Sequence, residues 1–189
     1  MEKQKRGTTY SRHRAENEKH VVVCSTTLQQ NIIMDFLNEF YAHPMLQNFY
    51  VVLLSPSELD QNFSMILHSA LWSQRVIYIQ GSALNKSDLN RAQMEHAEAC
   101  FILADRKYRN YHADQHSILR SWAIRDYAPN CVQYVHLLKP ENKMHVQHAS
   151  RLFYFIFYFS LNYFGTKCWI NNLRVCDLRR WVQVCFVGK

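Results

Sequence analysis

The sequence predicts an α/β fold, a Rossmann-like, doubly wound and mainly parallel sheet over residues 20–148, followed by an atypical C-terminal tail. Two patterns carry this expectation. Five short apolar runs alternate with helical patterns, and the runs are nearly continuous instead of alternating in polarity. Strands covered by helices on both faces lose their polar side, so such runs point to a buried parallel sheet. A chain of 189 residues suits one principal domain.

Each element has a local reason. "HVVVCS" reads as the first strand, followed by a helix in which Leu28, Ile32, Phe36, Leu37 and Phe40 recur at helical spacing until His43-Pro44 stops it. "NFYVVLL" is a strand closed by "SPSELD", where Ser55 or Ser57 is expected to cap a helix running to about Ala70. "QRVIYIQG" is the third strand, and Asn85 or Ser87 can cap the short helix after it. "EACFILA" is the fourth strand. Ile118, Leu119, Trp122, Ala123 and Ile124 then fall at helical spacing, ended by Pro129-Asn130. "CVQYVHLL" makes the fifth strand, and Pro140 starts a further helix.

The strand-turn-helix opening is where a dinucleotide fold would carry G-x-G-x-x-G, because backbone N–H groups must approach a pyrophosphate without intervening Cβ atoms. Ser25, Thr26, Thr27 and Leu28 occupy that turn instead. The second strand ends in Leu54-Ser55-Pro56, without the acidic residue that would hold ribose hydroxyls. Gly81 is the only glycine of the middle span, which excludes a Walker-type phosphate loop.

Charge and cysteine usage exclude further classes. The net charge of +7 belongs to the ends: residues 1–19 hold six Lys/Arg against three acids, residues 149–189 six against one, and the span between ten against eleven. A near-neutral folded middle argues against nucleic acid. Cys24, Cys100 and Cys131 sit in or beside apolar runs with no C-x-x-C spacing, as buried thiols of a reducing cytosol do. The aromatic run "LFYFIFYFSLNYF" is too short for a transmembrane helix, leaving a buried strand, an interfacial segment or sequence foreign to the fold. The opening residues lack the apolar core of a secretory signal. His112 with His116, His145 with His148, and Asp35 with Glu39 share helical faces, but each pair reads as solvated surface more readily than as metal ligands.

The stretches "YSRHRAENEKHVVVC", "MDFLNEFYAHP", "LWSQRVIYIQGSAL", "EACFIL", "ILRSWAIRDYAPNC" and "LKPENKMHV" together resemble the first RCK domain of the sodium-activated potassium channels, the large-conductance subfamily T. The resemblance runs from about Tyr10 to His148. It implies a cytosolic regulatory module of a gating ring, without catalysis or cofactor, at the cytoplasmic face of the plasma membrane. The implied partners are other RCK domains and the pore subunits of a tetrameric channel. Intracellular sodium is the ligand implied for the family, with no residue here matching a site. Residues 1–19 resemble the pore-to-ring connection, and the helix over 111–127 becomes the candidate for packing against a neighbouring RCK domain through Tyr111, Ile118, Leu119, Trp122 and Arg125. The alternative is that Ile118, Leu119 and Trp122 cover the sheet of their own domain.

Two departures shape the expectations. No pore helices precede the domain, and after "HVQHA" the sequence looks nothing like a sixth strand and its crossover helices. The expectation is therefore a channel fragment that is cytosolic on its own, with residues 149–189 a divergent tail from translated intron or a misjoined gene. An NAD(P)-binding oxidoreductase with an atypical cofactor turn is the alternative from the enzyme class. A free-standing interaction protein is the third reading.

Overall fold

The computed structural model describes residues 9–104, 112–147 and 153–156. The elements run α1 (Arg12–Asn17), β1 (His20–Ser25), α2 (Gln30–Ala42), β2 (Tyr50–Ser55), α3 (Gln61–Leu67), β3 (Val76–Gln80), α4 (Lys86–Arg91), β4 (Ala99–Leu103), α5 (His112–Tyr127), β5 (Val132–His136), α6 (Lys143–Gln147) and β6 (Phe153–Ile156). The sheet is six-stranded in the order β3-β2-β1-β4-β5-β6, and every pairing is parallel. The order turns back at β1, the doubly wound arrangement whose switch point lies between β1 and β4.

Alternation along the strands sorts the core into two layers. Val21, Val23, Val51, Leu53 and Phe101 face Ile33, Leu37 and Phe40 of α2 and Phe63 and Leu67 of α3. Val22, Cys24, Val52, Leu54, Cys100 and Ile102 face Ala15 of α1, Leu89 of α4, Ile118 and Ile124 of α5, and Val146 of α6. Because both faces are covered, all six residues of β1 are buried, which explains the continuous apolar runs. Aromatic packing thickens the first layer, where Phe101 stacks on Tyr134 at 4.8 Å between ring centroids and meets Phe36 edge-on at 5.0 Å.

The boundaries expected from the sequence shift for physical reasons. His43 does end α2, with Pro44 opening a short 3-10 turn. Ser55 and Ser57 do not cap α3. Their hydroxyls are engaged on the Thr26 carbonyl, Asp60 takes the N-cap position, and the helix stops at Leu67. Asn85 caps α4, its side chain accepting from Ser87 N. The segment read as a polar linker contains α1 and docks through the buried Tyr10, whose N–H donates to Arg91 O at 2.9 Å. After Ala149, where the sequence does not look like the expected sixth strand, Phe153–Ile156 nonetheless forms β6, in register from Gln133↔Phe153 to His136↔Ile156, so the strand reading of the aromatic run holds for these four residues. Residues 157–189 lie outside the described residues. Cys24, Cys100 and Cys131 are free and buried. No helix among the described residues is long and apolar enough to cross a membrane.

Gly81 follows β3 where the chain presses against α4. A Cβ there would lie 2.7 Å from Asp88 Cγ and 2.9 Å from Asp88 Cβ. Asp88 cannot easily yield, since its carboxylate accepts from Ser82 N and from Arg91 Nη1, each at 3.1 Å. Gly81→Ala is therefore expected to cost roughly 1–3 kcal/mol of stability, read as a lowered urea midpoint at unchanged slope. An unchanged midpoint would show that the clash relaxes without cost.

Candidate functional site

In a doubly wound fold, ligands bind outside the carboxyl ends of the strands near the switch point. Here the turn after β1 is closed on itself. Ser25 Oγ donates to Thr27 O at 2.8 Å, while Ser57 Oγ and Ser55 Oγ reach across from the end of β2 to donate to Thr26 O at 2.9 and 3.4 Å. Tyr78 OH from β3 donates in turn to Ser57 O. Burial pushes the Tyr78 phenol up to about 12, with the Glu58 carboxylate adding to the rise, so the phenol stays protonated and keeps donating. The hydroxyls at the carboxyl ends of β1, β2 and β3 are thus committed to the chain's own carbonyls. The side chains of Ser25, Thr26, Thr27 and Leu28 narrow the approach further.

A second polar device sits at the carboxyl end of β5. Asp114, buried in the first turn of α5, accepts from Leu138 N at 2.8 Å, Lys139 N at 3.0 Å and Asn142 Nδ2 at 2.7 Å. Three donors on one carboxylate fix the loop between β5 and α6 against α5. Farther along α5, Ser121 Oγ and the Gln133 side-chain amide of β5 meet at 3.0 Å in the core. Trp122 Nε1 donates to His145 O at 3.1 Å and ties α5 to α6.

The candidate contact residues of α5 separate on this frame. Ile118 is buried in the core layer beneath the helix. Leu119 is 47% exposed and Trp122 39%, and Met144 of α6 and Leu138 add further exposed apolar surface at 57% and 36%. Arg125 is half-buried, with its guanidinium on Asp126 Oδ1 at 3.0 Å. Tyr111 lies outside the described residues. Leu138 and Met144 carried no motif in the sequence; the Asp114 anchor and the Trp122–His145 hydrogen bond place their segment beside α5.

The metal pairs are not extended into a site. Asp35, Glu39, His116 and His145 are exposed, nothing is described of the His112 side chain or of His148, and no cluster of three or more His, Cys, Asp or Glu among the described residues could hold a metal.

The N-terminal segment makes a third feature. The Tyr10 ring packs on the His20 ring at 4.7 Å, and the Arg14 guanidinium lies over the Tyr50 ring at 4.6 Å while pairing with Glu18 at 2.8 Å. His20 is buried, with Nε2 donating to Gln93 O at 3.2 Å and Nδ1 without a hydrogen-bond partner. Gln93 holds a left-handed φ of 51°, which aims that carbonyl at the strand.

Comparison with known proteins places the fold. A family model described as the calcium-activated potassium channel slowpoke-like RCK domain matches residues 16–135, more than half of the chain. The chain belongs to this RCK domain family. It is 58% identical over 153 residues to mouse potassium channel subfamily T member 1, a match covering 80% of this chain and 12% of that protein. The human subfamily T member 1 is 57% identical over the same length. This RCK chain thus spans about one eighth of the length of the relatives it matches. Among solved structures, the human SLO3 gating ring superposes with a TM-score of 0.56 at 24% identity, covering 69% of this chain and 21% of that one. The GsuK channel bound to NAD superposes at 0.53 with 8% identity, covering 78% and 22%, a likeness of fold alone.

Two predictions follow from this geometry. With the turn after β1 closed by Ser55, Ser57 and Tyr78, calorimetric titration of the chain with NAD or NADP should show no saturation up to about 1 mM; micromolar binding would overturn this account of the turn. Burial depresses His20 from 6.5 to about 4, against smaller opposing effects of its backbone hydrogen bonds. The unfolded chain therefore binds a proton there between pH 6.5 and 4 while the folded chain does not. That contribution is constant above the unfolded value, is lost as pH falls through the window, and amounts to roughly 3 kcal/mol. The difference in unfolding free energy between the parent and His20→Gln, followed from pH 7 to pH 4, should fall by about that amount, and a flat difference would place the His20 charge in solvent.

Proposed function

We propose that this RCK domain is a regulatory, non-catalytic module of a tetrameric potassium channel, working at the cytoplasmic face of the plasma membrane with other RCK domains and pore subunits. The 58% identity to potassium channel subfamily T member 1 carries the reading. Intracellular sodium is the ligand we assign at the level of the family, and no residue of this chain is named for it. Two features of the molecule support a mechanical role. The hydroxyls of Ser55, Ser57 and Tyr78 bond to the chain's own carbonyls at the strand ends. The polar groups at the strand ends serve to fix loops, as Asp114 does for the segment after β5.

The surface that would meet a neighbouring RCK domain is the exposed side of α5 around Leu119 and Trp122, continued by Met144. Apolar side chains standing out from a rigid base form the core of protein interfaces, and aromatic anchors contribute most of their energy. The docked N-terminal segment, with Tyr10 N–H on Arg91 O and Arg14 over Tyr50, would join the pore to β1 and α4 at once. Strain passing along that segment would reach the sheet directly.

Leu119→Lys tests the surface without disturbing the core. The variant should unfold within about 0.5 kcal/mol of the parent, as exposed substitutions do. Self-association measured by sedimentation should weaken by about tenfold or more. A variant that loses stability while keeping its oligomer size would assign Leu119 to its own domain and reject the interface.

A further inference from the structure

The segment that clasps the turn after β1 also has the chemistry of an enzyme substrate. Residues 56–60, Pro-Ser-Glu-Leu-Asp, form neither helix nor strand between β2 and α3. Pro56, Glu58 and Asp60 are exposed, while Ser57 and Leu59 are half-buried. Such a short, extended and solvent-edged stretch is one that a kinase cleft can take up. Its acidic residues stand one and three positions after the serine, the arrangement a basic substrate groove selects by charge. Asp60 makes no capping hydrogen bond with its side chain although it occupies the N-cap of α3, so the carboxylate is not committed to the helix.

We propose that Ser57 is a phosphoacceptor for an acid-directed serine/threonine kinase, and that its phosphorylation opens the clasp between the β2–α3 loop and the β1–α2 turn. In the transfer, Ser57 Oγ bonds to the terminal phosphorus of ATP as the bond from that phosphorus to the bridging oxygen breaks. ADP leaves, and the hydroxyl proton passes to the kinase's catalytic carboxylate. The consequence inside this chain is specific. Ser57 Oγ now donates to Thr26 O at 2.9 Å. A phosphoserine carries about −1.5 to −2 charge and mainly acceptor oxygens, so acceptor would face acceptor across that gap. Glu58 and Asp60 on the same segment add like-charge repulsion. Ser55 Oγ, at 3.4 Å, would be the remaining side-chain donor on Thr26 O, and Tyr78 OH would lose the fixed Ser57 carbonyl.

The test uses the whole 189-residue chain. The chain, a Glu58→Gln/Asp60→Asn variant and a synthetic peptide of residues 52–64 are each incubated with casein kinase 2 and labelled ATP, and the site is mapped by mass spectrometry. The expected result is label on Ser57 of the chain, with kcat/KM lower by about tenfold or more in the acid-to-amide variant. Amide exchange over residues 26–30 should quicken by about tenfold in the phosphorylated chain, reporting the opened clasp. Label on the peptide but not the chain would show that the fold shields Ser57 and overturn the proposal, as would no label on either. Label with unchanged exchange would overturn the opening of the clasp. The variant retains the Ser57 hydroxyl and its bond to Thr26, so slower labelling cannot be ascribed to a lost clasp.

Discussion

Strand β1 is the element on which the other elements depend. It hydrogen-bonds in parallel to β2 on one side and to β4 on the other, from His20↔Tyr50 through Ser25↔Leu103. All six of its residues are buried. A strand committed at both edges and both faces has no freedom of register, because a one-residue slip would exchange the two faces. Val21 and Val23 thereby fix where α2 and α3 pack, and Val22 and Cys24 fix the layer holding α1, α4, α5 and α6. The switch point is a consequence of the same arrangement, since the chain leaves β1 toward β2 and returns on its far side as β4.

With the sheet settled, the polar groups at its carboxyl ends serve as clamps. Asp88 holds Ser82 N and Arg91 beside Gly81, Asp114 holds Leu138 N and Lys139 N, and Ser55 and Ser57 hold Thr26 O. Each clamp satisfies backbone groups that the turns leave unpaired, N–H groups in the Asp88 and Asp114 clamps and a carbonyl in that of Ser55 and Ser57. A domain built this way has its strand-end loops tied down, and part of its exposed apolar surface, Leu119, Trp122 and Met144, lies on α5 and α6.

The first described residues belong to that same body. Tyr10, which precedes α1 in the chain, is buried against His20 of β1, and Arg14 lies on the ring of Tyr50 from β2. The segment approaches through side chains that are polar at their tips, so composition alone makes it look like solvated linker. Its docking depends on an aromatic ring finding a histidine two elements away and on the Arg91 carbonyl accepting the Tyr10 amide.

Periodicity and apolar run length were enough to locate five strands, their parallel sense, the helices between them and the end of α2 at His43-Pro44, because burial on both faces removes polar residues from a strand wherever it sits in the chain. The lack of glycines in the turn after β1 was legible at once, because the dinucleotide fingerprint is local to a few adjacent residues. The destination of each polar side chain could not be read in the same way. Ser55 and Ser57 have the composition of helix caps, yet their hydroxyls reach Thr26, about thirty positions earlier in the chain. Ile118 and Leu119 are neighbours of equal hydrophobicity, and only the packing of α5 on the sheet buries the first and exposes the second. The start of the aromatic tail became β6 only because β5 presents an open edge. Local sequence sets what an element is; the partner it meets is chosen by contacts between residues far apart in the chain, and these exist only once the sheet has formed.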